Sequence, residues 1–131
     1  MTDSDSSRHG NSMLNAGDAM RRRVLGDAHV DKSRANATAF GQPLQDLVTE
    51  YCWGAIWNRP GLEPGTRSML NIAMLTALGK SAELRVHVRG ALNNGVTVEQ
   101  IQEVLLQAAV YCGAPAALEA SRAAQEVISE R

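Results

Sequence analysis

Residues 66–113, TRSMLNIAMLTALGKSAELRVHVRGALNNGVTVEQIQEVLLQAAVYCG, carry the pattern that decides the fold. Three helical runs are punctuated by two kinds of stop. The first, opened by Pro64 as a first-turn proline, continues to Gly79, which predicts a left-handed terminator. Its apolar side chains cover nearly the whole helical circumference, with Arg67 and Asn71 as polar residues one turn apart. Such a helix is expected to be central and buried on most sides. The second run, from Ser81, stops at Asn94-Gly95. The third starts with Thr97-Val98-Glu99-Gln100, which reads as a capping box, and Val96 with Ile101 can close a hydrophobic staple over it. It ends at Gly113, and Pro115 lies near the start of a last helix.

The same reading extends upstream. Asn58-Arg59-Pro60-Gly61 is a breaker cluster and predicts a turn. Before it, Leu44, Leu47, Val48, Tyr51, Cys52, Ala55 and Ile56 recur at amphipathic helical offsets from about residue 43 to Trp57. Residues 31–38 read as a linker, and 18–26 as a short helix capped by Asp18. Residues 1–17 are Ser-, Asp- and Gly-rich and predict a flexible tail. No stretch alternates with period two long enough for a strand. The expectation is an all-α, single-domain bundle of about six helices over residues 18–131.

Composition agrees. In 131 residues, 44% are hydrophobic but only 4% aromatic, a mix that suits packed helices better than a β-sandwich. Thirteen Lys+Arg against 14 Asp+Glu leave a net charge of −1, with no basic field for nucleic acid or an anionic membrane. Cys52 and Cys112 form no CxxC or zinc-spaced cluster, so no metal is expected. The first residues carry Asp3 and Asp5 with no apolar core of a signal, and no run is long enough to span a membrane. A cytoplasmic location with reduced thiols is the expectation.

Several side chains could carry chemistry. Glu83 and His87, four residues apart, share a helix face, where the carboxylate could orient the imidazole for proton donation near neutral pH; such a pair on a helix is more often structural. Arg85 and Arg89 share another side of that helix, either solvated or paired with carboxylates across an interface. Arg67 on a buried-side position calls for an anionic partner. The Arg21-Arg22-Arg23 run reads as a solvated face. Trp53 and Trp57 are core, interface or pocket residues, and periodicity leaves His29 unexplained. Residues 59–89 hold five cations and two anions, and residues 90–131 two cations and five anions. Subunits could set one surface against the other.

The blocks GDAHVD, WGAIWNRPGL, TRSMLNIAML, ELRVHVRGALNNGVT and YCGAPAA occur in the order and spacing of the 4-carboxymuconolactone decarboxylases, which the chain resembles from about Arg21 to Glu130. The resemblance implies the all-helical fold shared with alkylhydroperoxidase D proteins, and a homo-oligomer, commonly a hexamer, with a trimer as the smaller alternative. It implies a small dicarboxylate lactone as substrate, no cofactor, and catalytic roles for His87, Glu83 and Arg67. Arg85, His29, Trp53 and Trp57 also match the family pattern and are expected at the substrate. The peroxidase branch has Cys-x-x-Cys where this chain has Lys80 and Glu83, so its thiol chemistry is missing. Leu118 departs from the family pattern, standing where Asn is usual.

The implied substrate is a butenolide whose γ-carbon bears a carboxylate and a carboxymethyl arm. Loss of CO2 leaves an electron pair that delocalises to the lactone carbonyl, so the substrate is its own electron sink. The implied reaction belongs to protocatechuate degradation, with Arg67 holding a carboxylate or oxyanion and His87 protonating the ring carbon. Trp53, Trp57 and Met74 would form apolar walls. Two other readings are a thiol peroxidase using Cys52 and Cys112, and a non-catalytic oligomer that binds a small anion.

Overall fold

Every regular element in the computed structural model is helical; it describes the backbone of residues 2–131 and the side chains from residue 12 onward. There are seven α-helices and one π-helical segment among the described residues, so the all-α expectation holds. None of these helices is long and apolar enough to cross a membrane. The chain groups into two units, one up to Leu62 and one over Glu63–Arg131, where the sequence reading draws a single domain from residue 18.

In the first unit, α1 (Thr2–Leu25) ends where Gly26 takes a φ of 90°, a conformation that L side chains rarely adopt. Helix α2 (Asp27–Ala35) follows at once, so most of the expected linker is helical. Asp18 does not cap a helix start. It lies inside α1 and receives Arg22 from one turn on at 3.0 Å. Arg22 also meets Asp27 at 3.1 Å and Asp31 at 2.8 Å, and these three carboxylates push its pKa further up. Arg21 donates to Ser33 Oγ at 3.2 Å and to Gln45 Oε1 at 3.4 Å. Two members of the triple-Arg run therefore bind helices together, and only Arg23 has the solvated position expected for all three.

Helix α3 (Gln42–Leu47) opens directly into the π-helical segment Val48–Ile56, where the sequence reading expects one α-helix. The Thr49 hydroxyl donates back to Gln45 O at 2.8 Å at this junction. At the far end Asn58, the first residue of the breaker cluster, donates to Trp53 O at 3.0 Å and Gly54 O at 3.2 Å, covering carbonyls that the widened turn leaves open. Glycine lets α1 lie directly on this segment. A Cβ on Gly17 would sit 1.9 Å from Thr49 O, and one on Gly54 would sit 2.6 Å from Met13 O. Met13–Gly17 are thus packed helix, not the tail expected of them. Met1 and the side chains of residues 2–11, the rest of that expectation, lie outside the described residues.

The second unit is four helices: α4 (Pro64–Leu78), α5 (Ser81–Asn93), α6 (Val98–Cys112) and α7 (Ala114–Ser129). Their boundaries follow the sequence signals. Pro64 stands in the first turn of α4, Gly79 ends it with φ 68°, and Gly113 separates α6 from α7 with φ 98°. The capping box is complete: Gln100 N–H donates to Thr97 Oγ1 at 3.1 Å, and Thr97 N–H donates to Gln100 Oε1 at 2.9 Å. Val96 and Ile101 join Ile72, Leu84, Val88, Ala91 and Leu92 in one core, sealed by Ala120, Ala123, Ala124 and Val127 of α7. Small residues there let α7 approach closely.

Helix α4 is less enclosed than its composition predicts. Ser68, Ile72 and Thr76 form a buried stripe, while Leu70, Met74 and Leu78 stay exposed. Its start is tied to the end of α5, where Asn94 Nδ2 donates to Ser68 Oγ at 3.0 Å and lies 3.4 Å from Pro64 O. Arg85 meets Glu126 at 2.7 Å and Arg89 meets Glu130 at 3.0 Å, so part of the charge asymmetry is paired within the chain.

Two outcomes follow. Gly17→Ala drives a methyl into backbone, and thermal or urea unfolding should show a loss of roughly 1–3 kcal/mol, the usual scale for overpacking. The Arg85 guanidinium holds the Glu126 carboxyl below its ordinary range. A lowered folded pKa contributes stability that is present above the ordinary carboxylate range and lost as pH falls through the folded value. Urea unfolding of Glu126→Gln should therefore trail the parent at pH 7, with the gap narrowing as pH falls below the ordinary carboxylate range.

Candidate active site

Helices α4 and α5 form an antiparallel hairpin around the Gly79-Lys80 turn, so successive turns down one face successive turns up the other. Near the middle of this hairpin, the side-chain amide of Asn71 on α4 lies 3.4 Å from Nδ1 of His87 on α5, a long hydrogen bond. His87 is half-buried, and its neighbours Leu84, Val88 and Ala91 enter the core. One turn before Asn71, on the same face of α4, stands Arg67, half-buried with its Nε shielded from solvent. An imidazole, a carboxamide and a guanidinium are thus carried on two helices whose relative register is fixed by Asn94.

The other expected residues divide. Glu83 is exposed in the first turn of α5, and the partner given to Nδ1 of His87 is Asn71 from the neighbouring helix, not Glu83 from the turn before. Arg85 directs Nε at Glu126 Oε2 at 2.7 Å, which raises its pKa and commits its charge within the fold. His29, Trp53 and Trp57 belong to the first unit. His29 is half-buried on α2. The two indoles are buried on the π-helical segment and stack with ring centroids 4.8 Å apart and planes 24° from parallel.

Asn71 is the residue that sequence reasoning singled out without a role. Its signal was a second polar side chain, one turn from Arg67, on an otherwise apolar helix. Leu118 lies elsewhere. It is exposed on α7 and lines an apolar groove of about 500 Å3 with Leu105, Leu106 and Ala109 of α6.

Both thiols are free. Burial pushes the Cys52 pKa up, which lowers the thiolate fraction that peroxide chemistry needs. Among the described residues no three His, Cys, Asp or Glu side chains are grouped to hold a metal ion.

Comparison with known proteins adds the family. The model of the carboxymuconolactone decarboxylase family matches residues 42–126, which include Trp53, Trp57, Arg67, Asn71, Glu83 and His87. The chain is 42% identical over 118 residues to nitrosuccinic acid decarboxylase of Metarhizium robertsii, covering 90% of this chain and 82% of that one. It is also 42% identical over 111 residues to 4-carboxymuconolactone decarboxylase of Acinetobacter baylyi, covering 85% and 83%. A third relative, an uncharacterised 15.0 kDa protein of Paracoccus denitrificans, is 40% identical over 85 residues, 63% of each chain. With the helical hairpin, its Arg67–Asn71–His87 face and these matches together, the chain belongs to the carboxymuconolactone decarboxylase family.

Proposed function

We propose that this protein is a cofactor-independent decarboxylase of a small dicarboxylate, with 4-carboxymuconolactone of protocatechuate degradation as its substrate. The observation that carries the reading is 42% identity, over most of both chains, to a relative named for that reaction. The identity is equal for the relative named for nitrosuccinic acid, and this favours one specific second reading, nitrosuccinate itself. The two compounds share more than a carboxylate. In each, the carbon that loses CO2 also bears a carboxymethyl arm and is joined to a group that can take the electron pair onto oxygen. That group is the unsaturated lactone in one and the nitro group in the other.

The residues suit this shared chemistry. Arg67 offers a fixed fork of donors to a carboxylate or to the developing oxyanion. His87, as the imidazolium, delivers its Nε2 proton to the carbon where the electron pair returns, the ring α-carbon of the lactone or the nitro-bearing carbon of nitrosuccinate. The C–C bond to the leaving carboxylate breaks, its electron pair passes through the conjugated acceptor and returns to form the new C–H bond, and solvent reprotonates Nε2. Met74, exposed on α4 one turn beyond Asn71, would supply apolar surface that favours neutral CO2 over the carboxylate. We place the activity in a homo-oligomer, a hexamer or trimer. The large exposed side chains Val110 and Tyr111 on α6, about 80% accessible in the single chain, support self-association.

Incubation with 4-carboxymuconolactone, generated in place from protocatechuate, should release CO2 and enol-lactone; a parallel incubation with nitrosuccinate tests the second reading. Release from neither removes both. His87→Gln should lower kcat by roughly 10²–10⁴-fold, the scale of general acid catalysis. Arg67→Met should cost about 10–100-fold in kcat/KM, the equivalent of a lost charge-assisted hydrogen bond. Arg85→Gln should leave kcat/KM within about twofold, because that guanidinium is held by Glu126; a larger loss would return Arg85 to the substrate. Sedimentation equilibrium should find an oligomer, and Val110→Asp should shift it toward monomer.

A further inference from the structure

We propose that Asn71 is the positioning residue of His87: it occupies Nδ1 and thereby makes Nε2 the nitrogen that carries the working proton. The amide approaches Nδ1 through Nδ2 at 3.4 Å. An N–H can donate only to a ring nitrogen that is bare, so with the amide in this orientation the neutral ring carries its proton on Nε2. The two side chains come from different helices, and the Asn94 bonds to Ser68 and the start of α4 keep those helices in step. Arg67, on the same face of α4, shares its scaffold with the amide.

A carboxamide has a property that a carboxylate lacks. Its nitrogen donates and its oxygen accepts. When His87 becomes the imidazolium, Nδ1 gains a hydrogen, and a half-turn of the Asn71 amide presents Oδ1 to accept it. After Nε2 gives up its proton, the ring is neutral with hydrogen on Nδ1, and Oδ1 still accepts. Reprotonation of Nε2 by solvent restores the imidazolium, and loss of the Nδ1 proton to solvent returns the resting form. One side chain thus matches every protonation state that the ring visits. An aspartate would favour only states with hydrogen on Nδ1, and a leucine none.

The role rests on the reading of His87 as the proton donor, but its first test needs no turnover. In ring-nitrogen NMR at a pH where His87 is neutral, with the signal assigned by its loss in His87→Gln, the parent should carry its proton on Nε2. The isosteric Asn71→Asp should move it to Nδ1. Unchanged tautomers in Asn71→Asp, or a parent ring already protonated on Nδ1, would overturn the proposal. In the decarboxylation assay, Asn71→Leu should lower kcat by roughly 10–100-fold, the scale seen when the group orienting a histidine is removed, with KM within about threefold. Wild-type kcat in a folded Asn71→Leu would also overturn it. A tautomer that moves in a protein that releases no CO2 from either substrate leaves Asn71 in place and removes the decarboxylase reading instead.

Discussion

The register between α4 and α5 is the constraint on which the second unit and its candidate site depend. Asn94 sets it at one end by bonding Ser68 and reaching Pro64 O, and the Gly79-Lys80 turn sets it at the other. Gly65 allows the close approach, since a Cβ there would lie 3.3 Å from Val96 Cγ2. Within these limits His87 falls opposite Asn71 and not a turn above or below. The buried hydroxyl of Ser68 and the amide of Asn94 are matched to each other, so the polar contact that fixes the hairpin leaves little unsatisfied. Precision at the site comes from rigid helices, not loops.

Much of this unit was legible because its signals are local. Pro64, Gly79, Asn94-Gly95, the Thr97 box and Gly113 each act within one turn of themselves, and each marks the boundary that the structure has. The site was legible only through residue type and resemblance. A helical wheel joins Glu83 to His87 because it sees one helix at a time. The bond to Asn71 crosses between helices, and no spacing within α5 can announce it. The same holds for Arg85 and Arg89, whose partners Glu126 and Glu130 lie 41 positions away.

The first unit was read less well, also for physical reasons. Low apolar content made Met13–Gly17 look like a tail, but contact there is made by backbone against backbone at Gly17 and Gly54, which hydropathy does not register. The π-helical segment has the same apolar residues as an α-helix and differs in hydrogen-bond span, with Trp57 N–H reaching Cys52 O at 3.0 Å. The triple-Arg run reads as a solvated face because two of the carboxylates that hold Arg22, Asp27 and Asp31, come from the next helix, α2.

The two ion pairs between α5 and α7 do more than neutralise charge. Arg85 to Arg89 is one step of four along α5, and Glu126 to Glu130 is the same step along α7. Four residues before Glu126 stands Arg122. If α7 slid by one turn so that position 122 replaced 126, Arg85 would face another arginine, and the buried place of Ala123 would pass to Glu119. The apolar core and the surface charges oppose that slip together. These exposed residues act as a vernier, repeating on the surface of the bundle the alignment that the buried face of α7 sets inside it.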